Sequence, residues 1–472
     1  MQLFKTGFVV IISVFTFFAS AQPKAPLPSK AQLAAQDMEF YLFAHFGPNT
    51  FTGEEWGHGN EKEEVFNPTN LDCRQWARIA KAAGAKGIII TAKHHDGFCL
   101  WPSKFSTHTV RESKWKNGKG DVLRELSNAC KEYGLKFGVY LSPWDRNHPA
   151  YGTPAYNEVY MNMMKEIFTN YGPIWELWWD GANGEGPNGK KQQYDWAKFK
   201  ETVRKLSPNT VIFSDVGPDL RWVGNEKGFA NTTNWDLLNT DGFTAGAGAP
   251  PTDTLNMGNM FGQQWVPAEC DVSIRPGWFN HSNEDEKVKT PQQLFSLYLK
   301  SVGRGANLLL NVPPDGNGLF SANDSAALMG FKKLRAESFT NNLALKAIKQ
   351  LQTKEGTFIP QNAFADGNPA TAATLNNASL WLKFKPSQKI NCISVQEQIS
   401  KGQNIAKGRI LVMNNSKIVQ QIPFTTIGHK RIFTFPTTEA TAIMFTVDES
   451  KAAANISEIG VYKIDDSLIE HP

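Results

Sequence analysis

The chain has 472 residues, of which 41% are hydrophobic and 20% are charged. This length exceeds one ordinary domain, and the composition is that of a folded globular protein. The formal net charge of +4 is small and no run of basic residues accompanies it, which argues against nucleic acid as a partner. The 14 Trp and 31 Phe residues predict a large aromatic core, part of which can line a binding cleft.

The first 21 residues have the features of a secretory signal peptide. Lys5 precedes a short apolar run at 7–18, and the small residues Ala19, Ser20 and Ala21 follow. The run is too short to span a membrane, and no Cys follows it to carry a lipid anchor. We expect cleavage after Ala21 and an exported protein, periplasmic or secreted, with no membrane insertion after the signal is removed.

Cysteine usage is sparse and shows no metal-binding pattern. The five positions are Cys73, Cys99, Cys130, Cys270 and Cys392. The number is odd, and neither CxxC nor a Cys/His metal spacing occurs. We expect most of them to be buried free thiols, with one disulfide as an alternative in an exported protein.

Residues 22–345 alternate short apolar runs with amphipathic helical stretches. The runs are Phe40–Phe46, Gly87–Thr91, Lys136–Leu141, Ile174–Trp179, Val211–Ser214 and Asn307–Val312. The helical stretches are Cys73–Ala83, Val122–Tyr133, Asn157–Tyr171, Tyr194–Leu206 and Pro291–Val302. Repeated strand–helix units predict a (β/α) barrel or a doubly wound sheet. No GxGxxG or P-loop follows a strand, so nucleotide binding has no support.

Polar residues at the predicted strand ends favour the barrel over the doubly wound sheet. They are His45, His94, His95, Trp144, Asp145, Asp180 and Asn311. A barrel collects such residues from several strands on its catalytic face, whereas a doubly wound sheet concentrates them at one switch point. The weakly periodic section Pro218–Thr290 is interpreted as elaborated strand–helix segments that form part of the cleft.

Residues 346–472 form a second domain with a different pattern. Short alternating runs occur at Leu380–Phe384, Ile390–Val395, Gly408–Val412, Lys417–Ile422, Arg431–Phe435, Thr441–Val447 and Ile456–Tyr462. Turn residues separate the runs and helical signal is nearly absent, which predicts a β-sandwich or jelly roll.

The segment Trp178-Trp179-Asp180-Gly181 carries the strongest chemical signal. A buried strand there ends in a carboxylate beside two indoles. Aromatic faces stack on the C–H surface of a sugar, and the carboxylate can attack the anomeric carbon or stabilise charge there. The alternative is a buried strand followed by a helix-capping Asp.

Glycoside hydrolysis needs a second carboxylate, about 5–5.5 Å from the first for retention of configuration and about 6.5–9.5 Å for inversion. The candidates are Asp215, Glu226, Asp236, Asp241, Glu269 and Asp271. Glu226 and Glu269 both lie in aromatic-rich segments, and spacing alone does not choose between them. Either one could instead be a salt-bridge or supporting carboxylate.

Three histidines, His45, His94 and His95, follow the first two predicted strands. Imidazole both donates and accepts hydrogen bonds, which suits sugar hydroxyls. Their spacing matches no known zinc pattern and HExxH is absent, so we expect neither a metal nor a cofactor. A metal-dependent hydrolase using the paired histidines is the alternative, and structural histidines are another.

Taken together, six segments resemble the α-L-fucosidases of glycoside hydrolase family 29. They are Ala44–Phe51, Lys93–Trp101, Glu176–Gly181, Arg221–Gly228, Ser273–Phe279 and Gly303–Asn311. The resemblance spans nearly all of residues 35–345, with the motifs in the family's order. It implies a (β/α)8-like TIM barrel as the catalytic domain and a retaining double displacement.

By motif position, the resemblance implies Asp180 as nucleophile and Glu226 as general acid/base, with Glu269 as a supporting residue. The implied substrate-binding residues are His45, His94, His95, Tyr140, Trp178, Glu269, Arg275 and Trp278, with Trp278 near the C6 methyl of fucose. The Arg221–Glu226 segment resembles the subfamily that cleaves α-1,3/1,4-linked fucose from branched glycans. The implied partners are fucosylated oligosaccharides or glycoconjugates.

Three further expectations follow from the same resemblance. The C-terminal domain is similar to discoidin-like sandwiches, starting near Phe364–Pro369; such domains sometimes bind calcium or sugar, but no ligand set can be named here. One alternative function is a broad-specificity α-L-fucosidase with Glu269 as acid/base. Another is a catalytically inactive protein that binds fucose or galactose. The sequence predicts no oligomeric state.

Overall fold

The computed structural model describes residues 25–245 and 248–469. The predicted signal peptide at 1–21 therefore lies outside the described residues. Within these two ranges, every helix is too short or too polar to cross a membrane.

The described residues up to 345 contain ten strands, and eight of them are parallel and form a closed barrel. In chain order the strands are β1 (Phe40–Ala44), β2 (Gly87–Lys93), β3 (Lys136–Leu141), β4 (Ile174–Trp178), β5 (Val211–Ser214), β6 (Leu220–Trp222), β7 (Leu237–Leu238), β8 (Gln264–Trp265), β9 (Ala268–Ser273) and β10 (Asn307–Asn311). The order around the barrel is β1-β10-β9-β6-β5-β4-β3-β2, while β7 and β8 form a separate antiparallel pair.

The helices of this part of the chain lie between its strands, except that the first precedes β1 and the last follows β10. They are α1 (Lys30–Gln36), α2 (Pro48–Thr52), α3 (Cys73–Ala82), α4 (Val122–Tyr133), α5 (Ala155–Asn170), α6 (Trp196–Leu206), α7 (Thr252–Met257), α8 (Pro291–Lys300) and α9 (Ala322–Phe339). Polar caps define several starts: Asp72 and Asp121 accept backbone N–H bonds at α3 and α4, and Thr290 forms a capping box with Gln293 at α8.

Alternating residues of each strand face the two sides of the barrel wall. Phe40, Leu42 and Ala44 pack outward in the core shared with the helices. Tyr41 and Phe43, between them in sequence, pack in the barrel interior with residues such as Leu309. Side chains at i and i+2 share a face of a strand, so a continuous apolar run fills both layers at once.

The predicted barrel is confirmed, and the doubly wound alternative is wrong because the sheet closes on itself. Strands β6 and β9, which lie inside the weakly periodic section Pro218–Thr290, complete the closure by pairing with each other. Helix α9 also escaped prediction, since its apolar residues do not form a strong stripe on one face.

The C-terminal part of the described chain is an antiparallel sheet. Its strands are β11 (Ile348–Gln352), β12 (Phe358–Pro360), β13 (Ala373–Leu375), β14 (Ser379–Glu397), β15 (Ile405–Asn414), β16 (Lys417–Phe424), β17 (Arg431–Ser450) and β18 (Ala454–Tyr462). The main order is β12-β11-β14-β17-β15-β16, and β18 pairs with β13 and β14. Four of the predicted runs are halves of two long strands, β14 and β17, whose pairing shifts register twice.

The five cysteines are all free and buried, so the alternative of one disulfide is not realised.

A buried ion pair stabilises the end of β2. The Lys93 ammonium lies 3.2 Å from Asp145 Oδ2 and 3.2 Å from the hydroxyl oxygen of Tyr156. Burial opposes ionisation of Asp145, but Lys93 and the backbone N–H groups of two following residues lower its pKa.

We expect Lys93→Met to lower the free energy of unfolding by about 3–5 kcal/mol, because Asp145 would remain buried without its cation. Urea unfolding of the variant and the parent measures this loss. Lys198→Met is the control, since Lys198 is exposed in its ion pair with Asp195 and should contribute little. Equal and small effects of both changes would contradict the role given to the buried pair.

Candidate active site

A cavity of about 180 Å³ opens at the carboxyl ends of the barrel strands. Its walls carry most of the predicted site residues together with several others. The lining residues are Phe43, His45, Glu55, Trp56, His94, His95, Tyr140, Trp178, Asp180, Ala182, Glu226, Asp271 and Trp278. Asp180 and Glu226 also line an adjoining cavity of about 200 Å³, which reaches Asp215 and Trp222.

Asp180 lies two residues after the end of β4, and its carboxylate accepts two hydrogen bonds. The backbone N–H of Ala182 donates to Oδ1 at 2.7 Å, and the Tyr140 hydroxyl donates to Oδ2 at 3.0 Å. Gly181 is required next to it, because a Cβ there would lie 2.0 Å from Oδ2 of Asp215. The carboxylate is 26% exposed, so a molecule in the cavity can reach it.

His45 has a fixed orientation and a defined tautomer. Asn311 donates its amide N–H to the Trp278 carbonyl at 2.7 Å, so its Oδ1 must be the atom that faces His45 Nδ1 at 2.8 Å. Nδ1 therefore carries the proton and Nε2 keeps a lone pair. Burial lowers the pKa of His45 to about 4, so the ring is neutral near pH 7.

His95 is oriented in the same way by a different partner. Ser142 donates its hydroxyl to the Trp144 carbonyl at 2.8 Å and therefore accepts from Nδ1 of His95, also at 2.8 Å. Nε2 lies 3.7 Å from Oδ2 of Asp180, beyond a direct hydrogen bond. Burial lowers the pKa of His95 to about 4, so the gap separates two acceptors.

His94 stacks on the ring of Tyr140, with centroids 5.7 Å apart. Its Nδ1 is buried and has no hydrogen-bond partner among the described residues. Burial lowers the pKa of His94 well below its usual range, with His95 and His45 adding to the effect. The three imidazoles thus present neutral polar edges to the cavity, which suits hydroxyl groups.

Glu226 follows β6 and lines the same cavity as the three histidines. Loss of water around its carboxyl raises the pKa of Glu226, and Asp180 and Glu55 raise it further. The Trp278 indole N–H donates to Oε2 at 3.3 Å and acts in the opposite direction. The result is a carboxyl group that holds its proton to a higher pH than an isolated Glu.

Glu269 lies beneath the cavity and not in its wall. It is fully buried on β9, where it accepts hydrogen bonds from the Tyr41 hydroxyl and, at 2.8 Å, from the Trp178 indole N–H. Burial raises the pKa of both Glu269 and its buried neighbour Glu176. Asp271, two residues further along β9, does line the cavity and accepts from the Trp222 indole at 3.0 Å.

Arg275 does not take part in the cavity. Its guanidinium is buried behind β9, where it bonds to Asp324 at 3.0 Å and to Asp285 at 2.7 Å. It also donates to the Ser321 hydroxyl at 2.9 Å, which ties the segment after β9 to the start of α9. Arg275, which was predicted to bind the substrate, therefore lies outside the cavity.

Two residues of the wall, Glu55 and Trp56, were not predicted. Glu55 accepts the backbone N–H groups of Trp278, at 2.8 Å, and Phe279, at 3.2 Å, and so fixes the loop that carries Trp278. Trp56 is 53% exposed and packs edge-on against His95 and Trp144. The available signal was an acid beside a Trp, shortly after a polar strand end, as at Trp179-Asp180.

Within 25–245 and 248–469, no three His, Cys, Asp or Glu side chains form a group that could hold a metal ion. The cluster of His45, His94 and His95 is instead accompanied by aromatic rings and by the amide of Asn311.

Comparison with known proteins agrees with this geometry. The family model described as alpha-L-fucosidase matches residues 29–333. Alpha-L-fucosidase 1 of Arabidopsis thaliana is 42% identical over 451 residues, covering 93% of this chain and 88% of the plant protein. The chain belongs to the α-L-fucosidases of glycoside hydrolase family 29.

Solved structures of this family match the fold of this chain over nearly its whole length. A glycoside hydrolase family 29 member from an unknown rumen bacterium superimposes with a TM-score of 0.83 at 44% identity, covering 94% of this chain and 78% of the other. A family 29 fucosidase of Ruminococcus gnavus, solved in complex with fucose, gives a TM-score of 0.82 at 31% identity, covering 96% and 98%. The C-terminal antiparallel sheet is therefore shared with relatives and not particular to this fucosidase.

For this fucosidase we expect Tyr140→Phe to lower kcat/KM on an aryl α-L-fucoside by about 10- to 100-fold, the equivalent of one hydrogen bond to a charged group. The lost donor is the hydroxyl that contacts Asp180. Tyr160→Phe is the matched control, because that hydroxyl is also buried but donates to the Leu141 carbonyl. Similar losses in both variants would show that the effect is not specific to Asp180.

Proposed function

We propose that this α-L-fucosidase acts with retention, with Asp180 as nucleophile and Glu226 as general acid/base, on α-1,3/1,4-linked fucose of branched glycans. The observation that carries the proposal is that these two carboxyl groups line one cavity in contrasting surroundings. Asp180 accepts hydrogen bonds from two donors, whereas the pKa of Glu226 is raised by loss of water and by nearby carboxylates. Such a contrast suits a nucleophile and an acid.

In the first step, a carboxylate oxygen of Asp180 bonds to the anomeric carbon of fucose while the bond to the leaving oxygen breaks. Glu226 gives its proton to that oxygen, so the aglycone leaves as an alcohol. In the second step, Glu226 removes a proton from water, and the water oxygen displaces Asp180 from the anomeric carbon. Fucose is released with its original configuration, and Glu226 is protonated again.

The neutral imidazoles of His45, His94 and His95 bind the fucose hydroxyls in this proposal. A hydroxyl can donate to Nε2 of His95, which otherwise faces another acceptor at Asp180. Trp278 contributes the apolar wall near the C6 methyl group, and Trp178 forms the floor above Glu269. Arg275 supports this site indirectly, through the segment that carries Trp278.

The burial of Glu269 favours Glu226 as acid/base over the alternative. Glu269 has no exposed surface, and its oxygens are occupied by Tyr41 and Trp178. A leaving oxygen in the cavity could not reach it without displacing Trp178. Glu269 is thus proposed as a support that fixes the Trp178 ring.

Linkage selectivity rests on the segment that carries Glu226. The cavity between Asp215, Trp222 and Glu226 adjoins the fucose pocket and offers room for the remainder of a branched glycan. We further propose a discoidin-like sandwich for the C-terminal domain, and export after signal cleavage for the whole enzyme.

The first test is fucose release from a Lewis-type trisaccharide, an aryl α-L-fucoside and a linear α-1,2-linked oligosaccharide. The parent enzyme should prefer the branched substrate, and Asp180→Ala should lose turnover on all three, by about 10³-fold or more. Glu226→Ala should reduce kcat/KM on the trisaccharide by about 10²- to 10⁴-fold but spare an aryl fucoside with a good leaving group. Added azide should partly restore its kcat by forming fucosyl azide.

Other results would redirect the proposal. A preference for the aryl and α-1,2 substrates would keep the family but overturn the linkage assignment. Losses from Glu226→Ala that ignore leaving group and azide would remove Glu226 as acid/base. Sugar binding by calorimetry without turnover would instead identify an inactive binding protein.

A second test uses the pH profile of kcat/KM. Glu226 must be protonated in the first step, so activity falls as the pH rises through its pKa. The Trp278 indole N–H stabilises the carboxylate form, so Trp278→Phe should raise this pKa and move the alkaline limb to higher pH. A shift to lower pH would contradict the hydrogen bond's role, and Trp56→Phe serves as a control on the same cavity wall.

A further inference from the structure

One buried side chain of the C-terminal β domain, Gln403, makes two hydrogen bonds to the backbone of the catalytic domain. Gln403, which is 1% exposed, donates from Nε2 to the Asn234 carbonyl at 2.8 Å and accepts the Asp236 N–H at 2.7 Å through Oε1. Both bonds reach across domains to backbone atoms that flank Trp235. The amide therefore fixes this short stretch as a neighbouring strand would.

Other contacts from the same domain hold the same stretch. The Thr426 hydroxyl accepts the Asn234 N–H at 3.0 Å. The Arg431 guanidinium donates to the Thr232 carbonyl at 2.7 Å. Residues 232–236 are thus fastened to the C-terminal β domain by side chains, with Gln403 contributing the two central bonds.

Arg221 passes this restraint to the region around Glu226. The buried guanidinium donates to Asn234 Oδ1 and to the Trp235 carbonyl, each at 3.0 Å. Its Nε donates to the Leu255 carbonyl on α7 at 2.8 Å. Arg221 lies in β6, so one side chain connects the backbone stretch around Trp235, α7 and the strand that leads to Glu226.

The last connection is made by Asn256, the residue after Leu255. Its Nδ2 donates to the Val223 carbonyl at 3.0 Å and to the Phe229 carbonyl at 3.2 Å. These two carbonyls bracket the loop that carries Glu226. The Glu226 side chain is itself exposed, so the position of its carboxyl depends on the backbone beneath it.

We propose that Gln403 is a positioning residue for Glu226, so that the C-terminal β domain forms part of the catalytic unit. The proposal rests on the proposed function of Glu226 as general acid/base. A displacement of about 1 Å at a catalytic group can cost on the order of 100-fold in rate, so a modest loosening of residues 223–229 is enough to be measured.

The test compares Gln403→Ala and Gln403→Glu with Asn391→Ala in the full-length enzyme. Asn391 is a matched control, since it is fully buried and its amide also makes paired backbone bonds, to Ile464 at 2.9 and 2.7 Å, but within the C-terminal β domain. Gln403→Glu keeps the shape of the side chain and replaces the amide donor to Asn234 with an oxygen of a carboxyl group. Asn256→Ala and Glu226→Ala are measured in parallel.

The readout is kcat/KM on a Lewis-type trisaccharide and on an aryl fucoside with a strongly activated leaving group, together with azide rescue of kcat. We expect Gln403→Ala and Asn256→Ala to lose about 10- to 100-fold on the trisaccharide and no more than about 2-fold on the activated fucoside. Asn391→Ala should lower kcat/KM on both substrates by the same small factor. We expect this even if it lowers the melting temperature as much as Gln403→Ala does.

Two results would overturn the inference while leaving the proposed function intact. One is an equal loss on both substrates in the Gln403 variants when Glu226→Ala shows leaving-group dependence and azide rescue. The other is a loss in Asn391→Ala that, as expected for Gln403→Ala, affects the trisaccharide far more than the activated fucoside. If Glu226→Ala itself lacks leaving-group dependence, the acid/base assignment fails first, and the positioning role fails with it.

Discussion

Closure of the eight-stranded barrel is the constraint on which the site depends. Asp180 follows β4 and Glu226 follows β6, and β5 lies between these two strands on the closed wall. Parallel strands bring all their carboxyl ends to one face, so groups far apart in sequence meet there. The pairing of β6 with β9 completes this arrangement, because it places Glu226 and Asp271 beside each other at the cavity.

Within this one cavity the two carboxyl groups have different surroundings. Donors surround Asp180, whereas Glu226 loses water and faces other carboxylates. Beneath the floor, Glu176 and Glu269 are buried together, and their raised pKa values favour sharing of a proton over two adjacent charges. The buried pair therefore carries less negative charge than two ionised carboxylates would, whereas the Asp180 carboxyl group is open to the cavity.

Much of the barrel could be predicted from the sequence because its strands are apolar on both faces and several helices have polar caps. Strands β6 and β9 could not, since Arg221, Glu269 and Asp271 interrupt the apolar pattern with buried polar groups whose partners are distant in sequence. Motif position named most of the polar residues that line the cavity, but it also named Arg275 and Glu269, which lie outside the cavity wall. A motif does not distinguish a residue that contacts substrate from one that supports the fold. Arg275 is of the second kind, because it forms a buried ion pair with Asp324. Glu55 was missed because its partners are backbone N–H groups more than two hundred residues away.

The fixed tautomer of His45 determines which kind of hydrogen bond its free ring nitrogen can make. Nδ1 of His45 donates the only ring proton to Asn311, so Nε2, on the other edge of the ring, can act only as an acceptor. A hydroxyl can satisfy that edge by turning its hydrogen toward it. A fluorine of nearly the same size cannot, and it would set two electron-rich atoms against each other. An acceptor at this position favours a hydroxyl group over a fluorine of similar size. If His45 contacts the sugar as proposed, a deoxyfluoro sugar would bind less tightly than its parent at this single contact.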